Sequence, residues 1–87
     1  MIEFEFKFKD EHGLHARPAG TLVKKVKELT SVVTIRQGKK SARADQLFAL
    51  MGLGVSGEKR TVLVRVEGKN EVQDAEDLKR FMNEQFS

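Results

Sequence analysis

A change of hydrophobic period constrains this chain most. From Glu3 to Lys9, Phe4, Phe6 and Phe8 alternate with Glu3, Glu5, Lys7 and Lys9, which is the period-two pattern of a strand. After them, Ala19, Leu22, Val23, Val26 and Leu29 fall on one face of an amphipathic helix. The period therefore switches across His12–Pro18, and a strand hands over to a helix there. Pro18, the one proline, sharpens the junction. Proline is tolerated in the first turn of a helix, where its missing N–H would have had no intrahelical partner. The helix is expected to start at about residue 15 or 16 and to run from about Ala16 to Leu29.

That junction carries chemistry. The first N–H groups of a helix lack intrahelical acceptors, and the helix dipole adds partial positive charge, so such an end attracts an anion. Here the amides of Ala16 and Arg17 would face whatever sits on the His15 ring. The Arg17 guanidinium would add charge-assisted hydrogen bonds to phosphoryl oxygens. The same positive surroundings favour the neutral, nucleophilic imidazole near pH 7. A lone histidine at a helix start is most often a cap or a solvated side chain. The adjoining Gly13, Arg17 and Pro18 make the stretch His12–Gly20 a candidate phosphate site instead.

The rest of the chain reads as scaffold. The first strand is expected over Ile2–Lys9, with its phenylalanines on the core face rather than serving as a base-stacking platform. Ser31–Arg36 reads as a second strand, Gly38 as a tight turn and Lys40–Ala44 as a short third strand. Asp45 is a good N-cap for a short helix from Gln46 to about Gly52. Thr61–Glu67 is a fourth strand with Val62, Val64 and Val66 inward. Asn70 is placed to cap a last helix, whose early acids Glu71 and Asp74 suit the dipole and whose apolar stripe is Val72, Ala75, Leu78 and Met82. The order is βαββαβα: one α+β domain over residues 1–87, an open-faced β-sandwich with a four-stranded, mainly antiparallel sheet covered on one face by helices.

Gly13-Leu14-His15-Ala16-Arg17-Pro18-Ala19 resembles the active-site signature of HPr, the histidine-containing phosphocarrier family of the sugar phosphotransferase system. A second stretch, Leu47-Phe48-Ala49-Leu50-Met51-Gly52-Leu53-Gly54, matches the same family at the right separation. The resemblance implies a carrier rather than an enzyme, needing no cofactor. It implies that His15, helped by Arg17, accepts a phosphoryl group from phosphorylated enzyme I, and that the group originates in phosphoenolpyruvate. The carrier would then pass it to sugar-specific IIA proteins. His12, Ala16 and Pro18 would support the phosphate. Gly20, Val23, Lys24, Lys27, Leu47, Phe48 and Met51 would form the docking face, as a monomer by family habit.

The sequence departs from the family at three places. Gln46 stands where many members carry a regulatory serine, which removes that control point. Asp45, like Ala49, departs from the usual residue; it puts a negative charge where many members carry a lysine. His12 stands where Asn or Ser is common and forms an H-x-x-H pair with His15. With no cysteine and no third histidine to complete a site, a metal is not expected.

Composition adds limits. The 87 residues suffice for a modest core. The absence of cysteine excludes a disulfide framework and a thiol nucleophile. No apolar run approaches the ~20 residues of a membrane-spanning helix, and the N-terminus lacks a signal pattern, so a cytoplasmic protein is expected. The net charge of +3 is interspersed and does not choose among partners. A regulatory HPr paralogue, of the nitrogen-related branch or acting on a transcription factor, is the alternative. A small nucleic-acid-binding domain is disfavoured, because no aromatic RNA-binding motif is present.

Overall fold

The computed structural model describes residues 1–87. Alternating side chains build a four-stranded sheet from β1 (Ile2–Lys7), β2 (Val32–Gln37), β3 (Lys40–Arg43) and β4 (Thr61–Glu67), in the order β1-β4-β2-β3. Every pairing is antiparallel. Register follows the apolar residues: Phe6 pairs with Val62, Phe4 and Ile35 with Val64, and Val33 with Val66, which stacks one face of the sheet. Helices α1 (Ala16–Val26), α2 (Leu47–Met51) and α3 (Glu71–Phe86), with Phe8, Leu14, Ala44, Leu53 and Val55 from the connecting segments, complete a buried cluster of 18 residues. Leu22, Ile35, Leu50, Leu78 and Met82 are fully enclosed in it.

Several expected boundaries move, each for a local reason. β1 stops at Lys7, but Phe8 stays buried and its N–H still donates to the Arg60 carbonyl at 3.1 Å. α1 ends at Val26 rather than Leu29, because Glu28 and Leu29 bond back to Lys25 and Val26 in tighter i→i−3 turns. β2 begins at Val32 because the Ser31 N–H is taken by the Asp74 carboxylate.

Asp45 does not cap α2. Its Oδ2 accepts from Arg43 at 2.8 Å, its Oδ1 is buried without a partner, and Gln46 occupies the cap position. Val72 is not part of the α3 stripe: it is 60% exposed where the first turn of the helix overhangs the edge strand β1. Asn70 precedes α3, but its side chain donates to Thr30 rather than capping the helix.

Asp74 also takes a role other than dipole balance. Its Oδ2 accepts from the Ser31 hydroxyl at 2.6 Å, the Ser31 N–H at 3.0 Å and the Thr30 hydroxyl at 3.1 Å. These hydrogen bonds, led by the Ser31 hydroxyl, hold its carboxyl below the ordinary value despite burial. The pin ties α3 to the turn that leads from α1 into the sheet.

Candidate functional site

The segment between β1 and α1 is shaped by Gly13. Its φ is +59°, and a Cβ there would stand 2.0 Å from the Val55 carbonyl oxygen, so only glycine fits. The close approach lets the Leu14 N–H donate to that carbonyl at 2.9 Å, while the Gly57 N–H donates to the Glu11 carbonyl at 2.7 Å. Leu14 is buried immediately before His15, and Ala19 is buried one turn later. The backbone of His15 is thus anchored on both sides while its side chain stays in solvent.

His15 is the N-cap residue of α1, with extended backbone angles (φ −78°, ψ −175°) and no side-chain capping hydrogen bond. The Ala19 N–H makes the first intrahelical bond, to the His15 carbonyl at 3.0 Å. The amides of Ala16 and Arg17 therefore have no intrahelical acceptor, and Pro18 has no N–H to satisfy. No acidic residue occupies this first turn. The Arg17 side chain is exposed and enters none of the ion pairs. An anion on the His15 ring would meet free amides, a free guanidinium and the positive end of the helix dipole.

His12 lies beside it, with the two imidazole centroids 5.7 Å apart and the rings nearly perpendicular. Asp10 orients His12: one carboxylate oxygen, Oδ1, accepts from the His12 N–H and lies 2.9 Å from ring Nδ1. The amide hydrogen bond, followed by the ring contact, holds the Asp10 carboxyl below its ordinary value. The sequence signal for Asp10 is the Asp-x-His spacing, an Asx-turn pattern. Val55, whose carbonyl fixes Gly13 and Leu14, carries no such signal, because the contact is long-range. No group of three or more His, Cys, Asp or Glu side chains converges as a metal ion would need.

α2 packs against α1. Of its apolar residues Leu50 is buried, Leu47 is half-buried against the core, Met51 is 39% exposed and Phe48 is 85% exposed. On α1, Gly20 and Val23 are half-buried and Lys24 is exposed, as is Lys27 just past its end. A Cβ on Gly20 would meet nothing within 4 Å, so the outer surface there is open. No helix is long and apolar enough to cross a membrane.

Comparison with known proteins identifies the family and the fold. Residues 2–84 match the family model described as the PTS HPr component phosphorylation site. The chain is 41% identical to the phosphocarrier protein HPr of Borreliella burgdorferi over 78 residues, which cover 90% of each chain. It is 35% identical to that of Vibrio cholerae over 85 residues, 97% of this chain and 98% of the relative. Among solved structures, HPr-C-His from Thermoanaerobacter tengcongensis superposes with a TM-score of 0.87 at 29% identity, covering 99% of this chain and 96% of the other. The chain belongs to the HPr family, the phosphocarrier proteins of the phosphotransferase system.

Proposed function

We propose that His15 is the residue that carries the phosphoryl group, accepting it from phosphorylated enzyme I and yielding it to sugar-specific IIA proteins. The observation that carries this reading is the anchored, solvent-facing imidazole at an acid-free helix start with two unpartnered amides. Transfer between histidines breaks the donor's N–P bond as the bond to His15 forms, through a loose transition state with charge spread over the phosphoryl oxygens. The Ala16 and Arg17 amides and the Arg17 guanidinium stabilise that charge, His12 lends support beside it, and Pro18 leaves no competing N–H. The protein works in the cytoplasm as a monomer.

Partners dock on the surface formed by α2 and the outer side of α1. Phe48 and Met51 provide an apolar centre, with Leu47 beneath and Gly20 and Val23 alongside. Arg17, Lys24 and Lys27 steer acidic partners towards it. The test is incubation with phosphoenolpyruvate and an enzyme I, followed by intact mass, with His15→Ala in parallel. A gain of one acid-labile phosphoryl group that the variant lacks supports the reading. An equal gain in the variant would move the phosphoryl group to another residue.

A further inference from the structure

We propose that Asp10 and His12 form a carboxylate–imidazole dyad that takes up one proton when a phosphoryl group arrives on His15; the inference rests on the assignment of His15 above. Asp10 Oδ1 engages His12 twice, through its N–H and its ring Nδ1, each at 2.9 Å. A proton on Nδ1 facing the carboxylate leaves Nε2 as the nitrogen that gains or releases a proton. The phosphoryl group on a ring 5.7 Å away then places a second anion beside the same imidazole.

Opposite charge within about 4–6 Å favours the charged form of a titrating group. A phosphoryl group brings about −1.5 to −2 charges near neutral pH. The imidazolium of His12 would stand between two anions and donate to a phosphoryl oxygen, a geometry that a neutral Asn or Ser at this position could not tune with pH. Transfer and protonation stay balanced: phosphorus moves from the donor nitrogen to His15, and His12 Nε2 takes its proton from solvent.

Other charges surround the dyad. Lys9 and Glu11 flank it in sequence, and Arg17 is exposed on the first turn of α1. Glu58, Lys59 and Arg60 lie on the segment bonded to Glu11, and Glu84 is near the end of α3, which meets Lys9. Arg60 is committed to the carbonyls of Lys9 and Gly57, and only Asp10 bonds His12. These charges are present before and after transfer; the one neighbouring titratable group that transfer alters is His15 itself, the ring that receives the phosphoryl group. His12 and Asp10 side chains are 72% and 62% exposed, which caps the effect through solvent screening.

Coupling is reciprocal: if the phosphoryl group favours the proton, the proton favours the phosphoryl group. The group is raised by phosphorylation, so its contribution is full below the His12 midpoint of the unmodified chain. It is lost as pH rises through the midpoint of the phosphorylated chain.

NMR titration of ring-labelled histidines, before and after phosphorylation by enzyme I and phosphoenolpyruvate, tests this directly. We expect the His12 midpoint to rise by about one pH unit on phosphorylation. One unit corresponds to about a tenfold pH-dependent change in the phosphorylation equilibrium, and His12→Asn should remove that component. Asp10→Asn should lower the His12 midpoint in both forms. A phosphoryl group on His15 with the His12 midpoint unmoved overturns the dyad alone. Phosphorus located elsewhere than His15 overturns the parent assignment, and the dyad with it.

Discussion

The start of α3 brings its own acids, whereas the start of α1 brings none. Around α3, Glu71 accepts from the Gly68 N–H and pairs with the amino terminus, and Asp74 is consumed by Thr30 and Ser31. Around α1 the equivalent positions hold Ala16 and Ala19, and two exposed imidazoles, His12 and His15, stand at the helix start. Both helices carry a dipole of the same sense, but the Glu71 N–H of α3 donates to the Gly68 carbonyl at 3.2 Å, whereas the Ala16 and Arg17 amides of α1 have no partner. Where the chain supplies the negative charge internally, the helix start stabilises the fold. Where it withholds that charge, the start is left open to an external anion.

The sharpest way to break this contrast is to remove the central residue on each side. His15→Ala should abolish phosphoryl acceptance, read by intact mass, while leaving stability within about 0.5 kcal/mol, as expected for an exposed side chain. Asp74→Ala should do the reverse, costing about 3 kcal/mol in urea denaturation because buried donors lose their acceptor, with phosphoryl acceptance intact in the folded fraction. Arg17→Ala should slow transfer by about tenfold to a hundredfold, the worth of one or two charge-assisted hydrogen bonds. Phe48→Ala should weaken partner binding by about 1–2 kcal/mol in titration calorimetry and leave the melting temperature unchanged.

The smallest effect is a pH dependence. The Asp74 carboxyl is held below its ordinary value of 3.8, so near and below that pH the unfolded chain binds more protons than the folded one. Stability contributed by Asp74 is therefore present above the ordinary value and is lost as pH falls towards the lower, folded one. Asp74→Asn should flatten this acid limb in urea denaturation between about pH 5 and 2.

Much of this contrast was legible before folding. β4 matches its expected span, Thr61–Glu67, because Val62, Val64 and Val66 alternate without interruption. The start of α1 was legible because Pro18 admits so few helical positions. Its end was not: Leu29 continues the apolar spacing, yet the chain there has already tightened into turns. Capping preference places Asp45 at the start of α2, but Asp45 pairs with Arg43 instead, a competition that preference alone does not weigh. Val72 kept helical spacing with Ala75, but spacing does not reveal where a sheet ends. The Gly13–Val55 contact and the Asp74–Ser31 pin join residues 42 or more positions apart, so no local pattern announces them. At the candidate site His12, His15 and Arg17 are visible as residue types and the Asx turn of Asp10 as a local pattern, whereas the contact of Asp10 with the His12 ring needed the fold.

The measurement we would make first on this contrast is heteronuclear NMR of the phosphorylated chain, observing phosphorus–nitrogen coupling and backbone amides together. Coupling should appear in the His15 ring, with large shifts at the Ala16 and Arg17 amides and none at Gly68, Ser31 or Glu71. Coupling at another residue, or undisturbed Ala16 and Arg17 amides with His15 phosphorylated, would contradict the assignment of the α1 start as the phosphoryl site.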